Sequence, residues 1–251
     1  MDLTEPRKRV RIERGHKWVR TFLAGELVAS TKQPLLVWEV PYYPVYYFSL
    51  QDVIAHLLPT GEAVHSPSRG DAEVCDVSVT RATATGAAHR RISSPVSELR
   101  GTVRFHWSAM DLWFEEEEPV RTHARDPYTR IDILTSSRHV EVRVDDVTVA
   151  ETHQPHLLFE TGLPVRYYLP LCHVRQELLV PSSTETHCPY KGRATYWSLE
   201  IGGRRLDYVL WTYPTPLPES QKIAGYACFF SERVDLLVDG SLEPRPHTRF
   251  S

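Results

Sequence analysis

The sequence has no apolar run approaching the ~20 residues needed to cross a bilayer, so no membrane-spanning helix is expected. Its four cysteines (Cys75, Cys172, Cys188, Cys228) never form a CxxC pair, the usual mark of a structural zinc knuckle. Its twelve histidines show no HExxH or H-x-H grouping, so no metal and no cofactor is expected. A Gly-rich phosphate loop and a GxSxG elbow are both missing, which sets aside the common enzyme classes that use them. A basic excess is missing as well: the formal net charge is -3, which argues against a nucleic-acid partner. The short run Arg7-Lys8-Arg9-Val10-Arg11 lacks the aromatic interleaving of a binding arm and reads as a solvated tail. Met1 to Arg20 is charged throughout, so no secretory leader is expected. A reduced, cytoplasmic, soluble protein follows, a monomer or a homodimer.

What the chain does have is turn-formers and β-formers. Nineteen prolines and twelve tyrosines, with many Val and Thr, favour strands joined by turns. It also has an internal repeat. Val28-Ala29-Ser30-Thr31-Lys32-Gln33-Pro34-Leu35-Leu36 matches Val149-Ala150-Glu151-Thr152-His153-Gln154-Pro155-His156-Leu157, a spacing of 121 residues. The match runs on through Glu39/Glu160, Tyr46-Tyr47/Tyr167-Tyr168 and Leu57-Leu58/Leu178-Leu179. After one inserted residue, Pro67 and Gly70 fall under Pro189 and Gly192; later, Gly101, Phe105 and Asp111-Leu112 fall under Gly225, Phe229 and Asp235-Leu236.

Within each copy the patterning is β. Val140, Val142 and Val144 alternate with polar residues, Asp145-Asp146 turns, and Val147 and Val149 resume, which predicts a hairpin. Ala194 to Ile201 alternates, and Gly202-Gly203 turns it into Leu206 to Tyr213. Pro170 followed by Leu171, Val174 and Leu178 predicts a short helix.

Six segments carry a family resemblance: Glu151-Thr152-His153-Gln154-Pro155, Leu158-Phe159-Glu160-Thr161-Gly162-Leu163-Pro164, Arg166-Tyr167-Tyr168-Leu169-Pro170, Cys188-Pro189-Tyr190-Lys191-Gly192, Tyr196-Trp197-Ser198 and Ile223-Ala224-Gly225-Tyr226. Together they resemble the bacterial domain of unknown function family 427. Trp113-Phe114 with its acidic run, and Arg125-Asp126-Pro127-Tyr128, resemble its tandem form. The resemblance implies a mainly β chain of two tandem β-tent-like domains, each with two antiparallel sheets leaning over a cleft and one short helix. Relatives of that fold include zinc-binding chaperone-like proteins, methionine sulfoxide reductases and an aromatic-cage ligand-binding domain; the family brings no activity with it. The domains expected are residues 1–118 and 138–251, with 119–137 as a linker. Where the family has Pro-Arg-Glu-Asp-Val, this chain has Pro170-Leu171-Cys172-His173-Val174, so the acid is gone from the second copy while Asp52 stands in the first.

Chemistry concentrates in Thr186 to Gly192. Cys188 is a candidate thiol nucleophile, with His187 adjacent and Lys191 three residues on; it is equally a small residue suited to a core. Lys191 is a candidate anion contact or a plain turn lysine. Tyr168, Tyr190, Trp197, Trp211 and Tyr213 are candidates for an aromatic cleft wall, or core. Tyr196 and Trp197 must face opposite sides of their strand. Glu160 and Arg166 are expected to pair across the Gly162-Leu163-Pro164 loop. In the first copy His65, Ser66, Ser68, Arg69 and Cys75 lie under His187, Cys188, Tyr190, Lys191 and Trp197. Trp211-Thr212-Tyr213-Pro214 falls over Ala87-Ala88-His89-Arg90. The pocket is therefore expected in the second copy, with the first a degenerate partner. Three readings stand open: a module binding an unknown small molecule, a structural or interaction protein, and an enzyme using Cys188.

Overall fold

In the computed structural model, which describes residues 10–248, the tightest turns of the second half sit where the sequence puts them. Asp145 and Asp146 have φ of 47° and 62°, and Gly202 and Gly203 have φ of 56° and 79°. Positive φ at both central residues is what a two-residue hairpin needs to match the twist of its strands. Aspartate tolerates that backbone better than most non-glycine residues.

The chain divides into two compact units between Asp126 and Pro127. In the first, β1 (Arg11–Arg14), β2 (Val19–Leu23), β3 (Glu26–Thr31), β4 (Leu35–Val40), β5 (Tyr43–Ser49) and β6 (His56–Ser66) lead into β7 (Gly70–Ser78), β8 (Thr83–Arg91), β9 (Thr102–Phe105), β10 (Leu112–Glu115) and β11 (Glu118–Pro119). The second unit repeats them as β12 (Ile131–Thr135), β13 (Val140–Val144), β14 (Val147–Thr152), β15 (His156–Glu160), β16 (Arg166–Pro170) and β17 (Leu179–Cys188). It then runs through β18 (Gly192–Ile201), β19 (Arg204–Thr212), β20 (Tyr226–Phe229), β21 (Asp235–Val238) and β22 (Ser241–Leu242).

Each unit is a seven-stranded sheet and a four-stranded sheet. The orders are β1-β4-β5-β9-β8-β7-β6 with β11-β10-β2-β3, and β12-β15-β16-β20-β19-β18-β17 with β14-β13-β21-β22. Strand for strand the second pair copies the first, and the pairings are antiparallel throughout. The family resemblance thus foresaw two antiparallel sheets per copy correctly.

Between the sheets of the first unit lie Val19, Val28, Tyr46, Phe48, Cys75, Val103, Phe105 and Trp113. Between those of the second lie Val140, Val142, Val149, Leu169, Leu199, Leu210, Ala227 and Phe229. Each large sheet also carries a smaller cluster on its other face: Val37, Tyr47 and Leu99 in the first unit, and Tyr168, Trp211, Tyr213, Ile223 and Cys228 in the second.

Four expectations need correction. The helix expected after Pro170 is two 3-10 turns, Leu171–His173 and Gln176–Leu178. The eight residues between β16 and β17 are taken up by these two turns, with Val174 bridging to Ala150 between them. The stretch 119–137, expected to be a linker, does hold the boundary of the two units at Asp126 and Pro127, but its ends belong to strands β11 and β12. Val120 N–H bonds the Trp113 carbonyl, Asp126 accepts from Trp38 Nε1 at 2.8 Å, and β12 pairs with β15. In β10 and β21 the repeat slips by one residue. Trp113 faces Thr21 and Leu236 faces Val142, so Trp113 matches Leu236, and Leu112 matches Asp235. Finally, strand register sets Trp211 over His89 and Tyr213 over Arg91 rather than over Ala87 and His89. The basic run at residues 7–9 lies outside the described residues.

Candidate functional site

The loop Pro189 to Lys191 joins β17 to β18, with Cys188 opposite Gly192 and His187 opposite Arg193. Gly192 has φ +95°, and a Cβ there would come within 3.3 Å of the Thr215 carbonyl oxygen. Glycine is needed both for the backbone angle and for the close approach of the covering loop. That loop includes the 3-10 segment Pro218–Ile223 and is pinned by Leu217 N–H to the Lys191 carbonyl (3.1 Å) and Lys222 Nζ to the Ile133 carbonyl (3.1 Å).

Beneath it the structure gathers five of the candidate residues on the outer face of the large sheet. Tyr168, Tyr213, Trp211 and Lys191 are all at most 8% exposed, and Cys188 packs half-buried against the same cluster. Trp211 Nε1 donates to Tyr168 Oη at 3.2 Å, and Phe230 lies 4.5 Å from the Trp211 ring. The rings fill the space against one another, so they form a small core under the loop.

Lys191 Nζ donates to Glu160 Oε2 at 2.5 Å, and both side chains are 10% exposed. This corrects the expected Glu160–Arg166 pair. Arg166 instead forks onto Glu232, with Nη1 to Oε2 at 2.9 Å and Nη2 to Oε1 at 2.6 Å, and Nη1 also donates to Ser231 Oγ. With its charge taken by Glu160, Lys191 is not free to receive an anion.

Three candidates lie elsewhere. Trp197 projects to the inter-sheet side, where its Nε1 is buried without a protein acceptor. His187 is exposed, on the opposite side of β17 from Cys188, since successive residues of a strand alternate. Tyr190 is half-buried in the turn, and its carbonyl accepts from Ser220 Oγ at 3.4 Å.

Burial dominates the acid–base behaviour of the cluster. It drives the Tyr168 and Tyr213 phenols well above their ordinary range, with the neighbouring thiols adding to it. It also pushes the Cys228 thiol up to about 12, against the opposing pull of Arg166 and Lys191. Cys75 is raised for the same first reason. Among the four thiols only Cys172 is exposed. Iodoacetamide at neutral pH is therefore expected to modify Cys172 first and to leave Cys75 and Cys228 untouched. Peptide mass spectrometry reads the order. A Cys188 adduct forming ahead of Cys172 would mark an activated thiol and revive the enzyme reading.

The open space of the second unit is between its sheets. A shallow cleft of about 10 Å³, room for roughly one water molecule, is lined by Val142, Leu169, Phe229, Val234 and Leu236. Arg166, Tyr167 and Ser231 complete its wall. None of the candidates chosen from the sequence lines it. The repeat carried the signal that finds it: register places Trp107 and Trp113 of the first unit at Ser231 and Leu236. Those two indoles stack at 4.3 Å and 7°, with Trp113 also 6.2 Å from Phe48. The same location is filled by two large rings in one unit and left open by a serine and a leucine in the other.

Among the described residues no three His, Cys, Asp or Glu side chains come together in a way that would hold a metal ion. No described helix is long and apolar enough to cross a membrane. Comparison with curated proteins gives no match. The family model described as "Domain of unknown function (DUF427)" matches residues 11–116 and again residues 132–240. The chain belongs to that family and carries two tandem copies of its domain.

Proposed function

We propose that the protein is a small-molecule-binding module whose site is the inter-sheet cleft of the second unit. The observation that carries this is the pair of replacements, Trp107 to Ser231 and Trp113 to Leu236 between the copies, at the place where the cleft opens. The wall is aliphatic with two aromatic residues, Tyr167 and Phe229, and its polar groups sit together at Arg166 and Ser231. Apolar lining with a few grouped polar atoms is the usual make-up of a ligand site. Ligand pockets usually measure roughly 300–1,000 Å³ and this cleft about 10 Å³, so only a very small molecule enters without the sheets parting. Glu232 already neutralises Arg166, so the polar end of the ligand is an uncharged acceptor such as an amide or alcohol rather than an acid.

The test is ligand-observed NMR with short amides and alcohols bearing branched or aromatic bodies. Leu236→Trp and Ser231→Trp borrow the first unit's own filling and are expected to weaken binding about tenfold or more, with the fold retained by circular dichroism. Fragments that bind Leu236→Trp as well as the parent, or none that bind the parent, would sink the proposal.

A further inference from the structure

The outer face of the large sheet carries opposite chemistry in the two units. In the second, Tyr213, Cys228, Trp211 and Phe230 make an apolar cluster beside the Glu160–Lys191 pair. The residues in register with them in the first unit are Arg91, Arg104, His89 and His106, and beside them Glu39 and Arg69 replace Glu160 and Lys191. Each of these four positions is basic in the first unit, while the acid and the adjoining tyrosine, Tyr47, are kept.

Two guanidinium groups, Arg69 and Arg104, thus flank one carboxylate, with a third, Arg91, bonded to the adjoining turn. Glu39 accepts from Tyr47 Oη at 2.6 Å. Its oxygens lie 3.4 Å from Arg104 Nε and 3.7 Å from Arg69 Nη2, contacts too long or too poorly aligned to be strong hydrogen bonds. Arg91, 2% exposed, uses Nη1 to hold the carbonyls of Arg69 and Gly70, which fixes the turn that presents Arg69. The Nε–H groups of Arg69 and Arg91 are buried with no hydrogen-bond acceptor, and that of Arg104 has only the 3.4 Å approach to Glu39. The histidines do not add acceptors for them: Arg104 Nη2 donates to His89 Nδ1 at 2.9 Å, and His89 Nε2 meets His106 Nε2 at 3.2 Å. The side chains of Arg69 and Arg104 remain 17% exposed, so the cluster is reachable from solvent.

Buried donors without acceptors are costly, and three positive charges against one negative leave the cluster cationic. An anion with several oxygens answers both. Guanidinium forks match the oxygens of phosphate and carboxylate alike, and several forks converging from different elements suit the tetrahedral phosphate. We propose that the first unit binds a small oxyanion of the phosphate class at Arg69, Arg91 and Arg104. The first copy is then a second site of different specificity rather than a degenerate partner.

The experiment is calorimetric titration of the full chain at neutral pH and low salt with inorganic phosphate, phenyl phosphate and malonate. Saturable one-to-one binding of a phosphate is expected. Arg69→Gln and Arg104→Gln each weaken it about tenfold or more, the equivalent of one charge-assisted hydrogen bond. Arg205→Gln, an exposed change in the second unit, leaves it unaltered. Glu39→Gln removes the repelling charge and strengthens binding. Tighter binding of phenyl phosphate identifies a phosphomonoester as the ligand, and tighter binding of the inorganic ion identifies free phosphate. Malonate binding as tightly as both overturns the phosphate class, and absence of phosphate binding across the millimolar range overturns the site. Should the arginine variants unfold, the ring signals of His89 and His106 in the parent protein decide: phosphate must move them. Binding that moves other histidines only places the anion elsewhere and rejects the proposal.

Discussion

Lys191→Ala is expected to destabilise the second unit by about 3–5 kcal/mol, the usual cost of removing one partner from a buried ion pair. Lys191 and Glu160 are each 10% exposed, and the covering loop bonds the Lys191 carbonyl directly. The alanine variant leaves the Glu160 carboxylate shut in against the Tyr168–Trp211–Tyr213 core with no cation. Part of the loss returns when Glu160 is neutralised too. The double variant Glu160→Gln, Lys191→Met is expected to recover most of the stability, because a buried pair contributes little net over an apolar replacement of similar shape. Urea unfolding followed by tryptophan fluorescence measures all three proteins. A loss below about 1 kcal/mol for Lys191→Ala would mean the pair behaves as a surface contact.

The second large effect is acid sensitivity of the first unit. The pKa of His89 is lowered to about 4, first by burial and then by Arg104 and His106, with Arg91 adding and Glu39 opposing. The geometry explains it. A guanidinium only donates, so the His89 Nδ1 facing Arg104 Nη2 must be the unprotonated acceptor, and a proton there would set N–H against N–H. His106 is lowered as well, chiefly by burial. In the unfolded chain His89 takes its proton near the ordinary value of about 6.5. Between about 6.5 and 4 the unfolded state therefore binds more protons, and stability falls as pH falls through that window. The loss from His89 is about 3 kcal/mol. Urea unfolding of the parent and of His89→Gln across that range shows it: the parent loses stability on acidification, and the variant's curve is flatter. Equal slopes would place the acid sensitivity outside His89.

Much of this was legible in the sequence and some could not be. The repeat, the Asp145-Asp146 hairpin and the opposite facing of Tyr196 and Trp197 follow from local pattern, because a strand's alternation and a turn's φ are set by neighbouring residues. Alternation does not say which face meets the other sheet. That is why Tyr168, Trp211 and Tyr213 looked suited to a cleft and lie under a loop instead. The partner of Glu160 was misassigned to Arg166, six residues away, when the true partner is across the fold at Lys191. The cleft depends on Trp113 matching Leu236, and a one-residue slip in the last strands hides that from an alignment. The basic cluster draws on four strands and a turn. It becomes visible only when the two copies are compared strand by strand, where Arg104 falls under Cys228 and Arg91 under Tyr213.

The contrast between the two outer faces also bears on how the chain avoids tangling with itself. Tandem copies with one topology invite strands of one half to enter the sheet of the other, a characteristic failure of repeat proteins. Here such an exchange is self-defeating. With β9 in the place of β20, Arg104 would take the fully enclosed position of Cys228 among Tyr168 and Trp211, where the nearby acids Glu160 and Glu232 are already paired with Lys191 and Arg166. The reverse exchange would set a thiol where Glu39 and His89 have a guanidinium beside them. The first of these strands a buried charge at a cost of several kcal/mol, so the divergence in polarity sorts the strands of two otherwise interchangeable halves.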